Sequence, residues 1–349
     1  KPTSADIYEG IKRLQTLGSV LYIAAHPDDE NTRLIAYMAN ERRMNTTYLS
    51  LTRGDGGQNL IGNELREMLG VLRTQELLMA RSVDGGKQLF SRANDFGFSK
   101  SPAETMRIWS KNDVLADAVW AIRKTQPDII INRFSTDTTV DTHGHHTASA
   151  ILSQEAFELA ADPKAYPEQL KYVRVWQPSR LFFNTSWFFY GSQEKFAAAD
   201  KSKMLKIDMG VFYPTRGKSN NEIAAESRSM HKCQGFGMLS SRGSEPEYLD
   251  FLKGTLPKPE TDPFEGINTT WERIGANGND IKKVLAYIEQ NFKFDNPAAS
   301  VPELVNAMRM IEKLPADNHW RNIKLAEIKD IIRWAAGLYL EASTAIASS

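Results

Sequence analysis

The apolar run Val20-Leu21-Tyr22-Ile23-Ala24-Ala25 ends in an imidazole and three consecutive carboxylates, His26-Pro27-Asp28-Asp29-Glu30. Gly18 and Pro27 bound it, and its length and β-branched and aromatic content predict a buried strand rather than a helix. A strand apolar on both faces belongs in the middle of a parallel sheet covered by helices on each side. In such sheets ligands bind beyond the carboxyl ends of the strands, where His26 to Glu30 would lie. Four ionisable side chains in five residues at that place are costly unless something binds them. A catalytic divalent metal, zinc first, is the reading this predicts.

The flanking pattern repeats strand, helix, strand. Ile7, Ile11, Leu14 and Leu17 have helical spacing, as do Leu34, Ile35, Met38 and Ala39. Thr46 to Thr52 reads as a second strand, ended by the turn Arg53-Gly54-Asp55-Gly56-Gly57. Glu64 to Ser82 is a predicted helix with Leu65, Leu69, Leu72, Leu77 and Met79 on its apolar positions. A short strand at Lys87 to Phe90, a helix from Pro102 to about Lys124 and a strand at Pro127 to Asn132 follow. Arg180 to Asn184 and Leu205 to Met209 are further strands, and Asn220 to Lys232 a helix. The fold class expected is α/β, a Rossmann-like three-layer sandwich with a mainly parallel sheet. After the proline-rich connector Leu256 to Pro263 only helical patterns remain, about 278 to 292, 301 to 314 and 320 to 345. The expected division is therefore 1–255 and a helical subdomain 256–349.

Of the 6 histidines, four lie in two clusters, His26 and the run His143-Gly144-His145-His146. Both clusters sit on strand-to-helix turns, which share one edge of a doubly wound sheet. His26 and Asp29, with two residues between them on a tight turn, can reach one ion from the same side. A histidine of the later cluster would complete a His/Asp/His set, leaving a position for water, as in catalytic zinc sites. Such an ion acidifies its water, and Asp28, between the two ligands, is placed to take the proton. Taken singly, each cluster has a plainer reading: a capped helix start for Asp28-Asp29-Glu30, a solvated loop for the later histidines.

Composition narrows the partners. Lys+Arg 43 balance Asp+Glu 43, so no overall field favours nucleic acid. No apolar run is long enough to cross a membrane. The single cysteine, Cys233, excludes an intrachain disulfide and a multi-cysteine zinc site. The chain starts at Lys1 without methionine, which predicts a processed, exported protein (periplasmic or extracellular); a trimmed cytoplasmic chain is the alternative.

Ala25-His26-Pro27-Asp28-Asp29-Glu30 resembles the AHPDDE signature of the LmbE-like, or PIG-L, de-N-acetylases. The resemblance extends through Thr52-Arg53-Gly54-Asp55-Gly56-Gly57 and Leu72-Arg73-Thr74-Gln75-Glu76-Leu77 to the later histidines, over roughly the first 250 residues. It implies a zinc hydrolase that removes N-acetyl groups from N-acetylglucosamine-type sugars or glycoconjugates. His26 and Asp29 match the first two zinc ligands and Asp28 the general base. His146 matches the third ligand, and His143 the group that stabilises the oxyanion and protonates the leaving amine. The family's H-P-D-H has Gly144 and His145 at its inner positions here. Asp137 or Asp141 then takes over the support of the outer histidine, or His145 replaces His146 as ligand. Arg73 matches a helix arginine that binds a sugar or phosphate oxygen, with an exposed Arg73–Glu76 pair as the alternative.

Asp95 is a candidate acceptor for sugar hydroxyls, and Asp55 a supporting or turn-forming residue near the pocket. Trp187 to Tyr190 form either a sugar platform or an apolar anchor. His231 and Gln234 are either pocket residues or a helix end. Competing functions are a metal-dependent hydrolase of another amide or ester, and a carbohydrate-binding protein with a structural metal. A dinucleotide-binding fold is disfavoured because the first strand is not followed by G-x-G-x-x-G. A serine hydrolase is disfavoured because no G-x-S-x-G occurs.

Overall fold

A computed structural model describes residues 1–138, 142–237, 239–258 and 262–339. The chain forms two compact units, Gly18–Ile267 and Lys1–Leu17 together with Asn268–Ser349. The first helix, α1 (Ser4–Leu14), thus belongs with the C-terminal helices rather than with the region expected to end at residue 255. Its apolar stripe explains this: Ile7, Ile11 and Leu14 are buried among Ile281, Leu285 and Ile328.

In the unit Gly18–Ile267 the strands are β1 (Ser19–Ala24), β2 (Asn45–Ser50), β3 (Lys87–Phe90), β4 (Ile129–Asn132), β5 (Arg180–Thr185), β6 (Met204–Asp208), β7 (Phe212–Tyr213), β8 (Lys218–Ser219) and β9 (Pro246–Gly254). The main sheet has the order β3-β2-β1-β4-β5-β9-β6, and β7 and β8 form a separate ribbon. β1 to β5 run parallel, with Val20 opposite both Thr46 and Ile129. β9 is antiparallel to β5 and β6. Strand order reverses between β1 and β4, which is where such sheets leave a crevice.

Successive side chains of β1 enter opposite cores, as strand geometry requires. Leu21 and Ile23 pack with Val119, Ile122 and Leu152, whereas Val20, Tyr22 and Ala24 pack with Leu34, Ile35 and Met38. The helices that supply these layers are α2 (Thr32–Ala36), α3 (Glu67–Asp84), α4 (Pro102–Ile108), α5 (Lys111–Thr125), α6 (Gly144–Leu159), α7 (Gln193–Ala198) and α8 (Asn220–Arg228). The expected three-layer α/β architecture is therefore present.

Three elements differ from expectation. The helix predicted from Pro102 to Lys124 is broken, because Ser110 takes φ 57 between α4 and α5. On α3, Leu69 and Leu77 are buried, but Leu65 before it and Met79 on it are exposed. β9 is a strand that the expected elements do not include: its nine residues are mostly polar or half-buried, and only antiparallel pairing on both edges makes them a strand.

The second unit adds α9 (Ala276–Gln290), α10 (Val301–Glu312) and α11 (His319–Ala335), the helices expected from the tail's periodicity. Trp271 is fully buried there and donates its indole N–H to the Leu14 carbonyl at 2.9 Å. The proposed extension of the last helix to residue 345 lies partly outside the described residues.

Candidate metal centre and cleft

β1 and β4 are neighbours at the reversal point, so their carboxyl ends deliver chain to one place. β1 leads into His26–Asn31 and β4 into Arg133–Phe134; the N-terminus of α6 brings its cap His143 and, in its first turn, His145 and His146. Residues more than a hundred positions apart thereby meet.

Asp29 is the hub. Its Oδ2 accepts the backbone N–H of Ala25 (3.1 Å) and His26 (2.7 Å) and lies 3.2 Å from His26 Nδ1. Its Oδ1 lies 3.3 Å from His146 Nε2. Burial alone would raise the Asp29 carboxyl, but His146 and His26 outweigh it and hold it well below the usual range. Burial alone would lower His26, and Asp29 outweighs that and raises it. The His146 ring stacks on Phe134, centroids 3.8 Å apart and planes 4° from parallel. One nitrogen each from His26 and His146 and one Asp29 oxygen lie within 4.8 Å of one another. This N/O/N donor set, bordering an open cleft, fits a divalent ion with three protein ligands and a further position free.

Asp28 has φ 91, a left-handed conformation that a non-glycine residue adopts at a cost of about 1–3 kcal/mol. Three contacts hold it there. Its N–H donates to Glu30 Oε2 at 2.8 Å, Arg228 donates to its carbonyl, and Arg73 Nη2 donates to its Oδ2 at 2.9 Å. Burial raises the Asp28 carboxyl, with Arg73 opposing. Arg73 is only 3% exposed, and it also donates to the carbonyls of Pro27 and Gly54. It is therefore a clamp on the Asp28 loop, not a group presented to a sugar or phosphate, and it forms no exposed pair with Glu76. Gly54 has φ +75, and a Cβ on Gly54 or Gly57 would fall 2.4 Å from Arg73 Nη1, so the glycine turn makes room for the clamp.

His143 caps α6, its Nδ1 accepting the His145 N–H at 3.1 Å. Burial, then the neighbouring His26, pushes His143 down to about 4. With Nδ1 accepting at the helix start, a neutral His143 carries its proton on Nε2. His145 is fully buried against Phe96 and Trp109, its Nδ1 2.9 Å from His26 Nε2. Burial, with His26 and His143, pushes it to about 2, so it is neutral as well. A second possible ligand set, His26, His143 and His145, lies on the Nε2 side of His26.

Gly144 explains the departure from H-P-D-H. Its N–H donates to the Ser99 carbonyl at 2.5 Å, and a Cβ would meet the Ser101 carbonyl oxygen at 2.7 Å. Gly144→Pro is expected to destabilise the fold by about 1–3 kcal/mol through an orphaned carbonyl and overlap. Denaturant unfolding at fixed m-value checks this; an unchanged midpoint refutes it.

The remaining predicted residues fall into place with different weights. Asp95 is buried under the histidines, its Oδ2 3.9 Å from His26 Nε2 and its Oδ1 3.8 Å from His145 Nδ1, so it faces them rather than open cleft. Asp55 is buried, accepts from Arg53 at 2.7 Å and abuts Gly70, as a turn-holding residue. Asp137 lies in the loop after β4, and Asp141 is outside the described residues. Of the aromatic segment, Phe189 packs on Phe183 and Phe134, while Trp187 and Phe188 are exposed. Gln234 donates to the Gln58 carbonyl.

Sequence reading missed a buried ionic cluster behind the loop. Glu30 accepts from Arg81 Nη2 at 3.2 Å and pairs with His231 Nε2 at 2.8 Å, and Arg81 also pairs with Asp84. Burial alone would raise Glu30, but His231 and Arg81 outweigh it and hold it at about 2. The signals available were the third carboxylate of the run and His231, read as a pocket residue or a helix end; Arg81 and Asp84 on α3 had none. Phe134 and Arg133, directly after β4, were also missed, although the strand-end rule points at them.

The cleft beside Asp29 and His146 holds about 450 Å³ and is lined also by Asp28, Arg33, Arg133, Ser186, Asn221, Arg228 and Glu247. Fold and cluster together define an α/β protein with a His/Asp centre at the switch point of a doubly wound sheet. Residues 21–157 match the PIG-L family, described as GlcNAc-PI de-N-acetylase, the family whose motifs the chain resembles. No curated protein matches the chain in sequence. Among solved structures it is similar to the N,N'-diacetylchitobiose deacetylase of Pyrococcus horikoshii, at 16% identity and a TM-score of 0.44, over 62% of this chain and 70% of that one. It is similar also to GalB, the 4-carboxy-2-hydroxymuconate hydratase of Pseudomonas putida KT2440, at 15% identity and a TM-score of 0.46, over 69% of this chain and 98% of that one. A deacetylase of the teicoplanin biosynthetic pathway gives 11% identity and a TM-score of 0.39, over 68% and 100%. Likeness at this level carries nothing about reaction or substrate. Among the described residues no helix is long and apolar enough to cross a membrane.

Proposed function

We propose that this protein is a zinc-dependent hydrolase that removes an N-acetyl group from an N-acetylglucosamine-type sugar or glycoconjugate. The observation that carries the reading is the convergence of His26 Nδ1, Asp29 and His146 Nε2 beside an open cleft, with Asp28 next to them. The PIG-L match over residues 21–157 supports it. His26, Asp29 and His146 would hold the ion. When bound, the ion supplies Lewis acidity, polarising the amide carbonyl and acidifying water.

The chain's own residues supply the rest. Asp28 takes the proton of the attacking water and returns it to the amide nitrogen as the C–N bond breaks, so amide and water become free amine and acetate. Burial raises its carboxyl toward that task, and Arg73 engages only Oδ2. His143 Nε2–H donates to the negative charge that develops on the carbonyl oxygen. His26, with Nδ1 turned to Asp29, donates Nε2–H to the neutral His145, the support that ligating histidines commonly have. His145 in this reading orients a ligand and is not one.

Acetate release from a panel of N-acetylated sugars and glycoconjugates, with metal analysis on the same sample, tests the proposal. Zinc at about one equivalent, acetate release, loss of release on chelation and recovery on adding zinc are expected. Stoichiometric zinc without acetate release from any N-acetyl compound would overturn the deacetylase reading in favour of a structural metal.

A further inference from the structure

Among the described residues that line the cleft, Arg133 is the cation whose guanidinium meets neither a hydrogen-bond acceptor nor a carboxylate. Each lining carboxylate has a cationic partner: Asp28 has Arg73, Asp29 has His26 and His146, and Glu30 has Arg81 and His231. Glu247 has Arg33, which also pairs with Glu245. Arg228 donates to the Asp28 carbonyl and stacks on Phe236. Arg133 is different. It follows β4 directly, its backbone N–H donates to the Ile23 carbonyl at 3.0 Å, and its half-buried side chain lines the cleft with His146. Phe134 and Phe189 flank the guanidinium, 6.0 and 5.7 Å from its carbon to the ring centroids. Among the described residues its donors have neither a hydrogen-bond acceptor nor an ion-pair partner.

An arginine packed between aromatic faces keeps its edge for a ligand, and that planar fork matches carboxylate and phosphate oxygens. A neutral sugar would leave this charge unanswered in a partly desolvated cleft, which is unfavourable. We propose that Arg133 anchors an anionic group of the substrate, a phosphate or a carboxylate carried by the N-acyl amino sugar whose acetyl group is presented to Asp28. The identity of the sugar rests on the function proposed above; the anion subsite rests on Arg133 and its surroundings. The subsite discriminates between charged and neutral conjugates without taking part in bond cleavage.

The test compares methyl N-acetylglucosaminide, its carboxymethyl glycoside counterpart and N-acetylglucosamine 1-phosphate, by acetate release with the zinc-loaded protein and by calorimetric binding to the metal-free protein. At least one anionic compound is expected to exceed the neutral one in kcat/KM and in affinity by about tenfold or more, the worth of a charge-assisted hydrogen bond. Arg133→Gln should bring both ratios to about one, and Arg133→Lys, which keeps charge but loses the fork, should leave an intermediate ratio. Preference for the phosphate or for the carboxylate identifies which anion the subsite takes. Equal binding of all three compounds by the unsubstituted protein, or a preference that survives in Arg133→Gln, overturns the proposal. Arg133-dependent binding without acetate release from any compound overturns the deacetylase reading and upholds the anion subsite.

Discussion

Asp28→Asn is expected to lower kcat by about 10²–10⁴-fold, the usual contribution of a positioned general base, while zinc content stays near that of the unsubstituted protein. The substitution isolates chemistry from structure. Asparagine tolerates positive φ better than most residues, so the backbone at φ 91 is retained. Its carboxamide oxygen still accepts from Arg73, so the clamp at 2.9 Å survives. What is lost is the ability to take a proton from water and return it to nitrogen. Single-turnover acetate release with parallel metal analysis reads the effect. Unchanged turnover would remove Asp28 from the mechanism, whereas loss of zinc together with turnover would show that the residue serves the metal.

Glu30→Ala is expected to destabilise the fold by about 3–5 kcal/mol, because removing one member of a buried ionic cluster leaves its partners uncompensated. Glu30 and His231 are fully buried at their side chains, and Arg81 nearly so. Asp84 continues to pair with Arg81, but His231 Nε2 loses its partner, as does the Asp28 N–H. Glu30→Gln, which still accepts a hydrogen bond from Asp28, should cost less. Chemical denaturation of both variants checks the order. A loss below about 1 kcal/mol for Glu30→Ala would mean that water replaces the carboxylate, and that the cluster behaves like an exposed ion pair. Because Glu30 also holds the Asp28 backbone, reduced turnover is expected in the alanine variant even when it is fully folded.

Much of the sheet could be read locally. Val20 to Ala25, Ile129 to Asn132 and Lys87 to Phe90 are short apolar or β-prone runs bounded by turn residues, and each is a strand within a residue or two of its expected limits. β9 was not legible, since Pro246 to Gly254 carries charged residues between its apolar ones and becomes a strand only through partners far away in sequence. The same asymmetry holds at the centre. His26 and Asp29 could be singled out because metal-binding residue types sit on strand-to-helix turns, and His146 among its cluster only through the resemblance to H-P-D-H. Arg73 was matched to a substrate-contacting residue, and burial against Gly54, Pro27 and Asp28 made it a clamp instead. His145 stood open as a ligand, and its position against His26 Nε2, caged by Phe96 and Trp109, favours a supporting role.

The sequence by itself determined the parallel layer, the edge on which the chemistry lies and the residue types gathered there, because strand length, periodicity and turn chemistry are local properties of the chain. Tertiary structure decided which nitrogen of each histidine faces Asp29, which charges are buried as clamps and which arginine is left for a ligand. Those outcomes depend on distance and desolvation between segments remote in sequence, and neither quantity is written in the order of the residues.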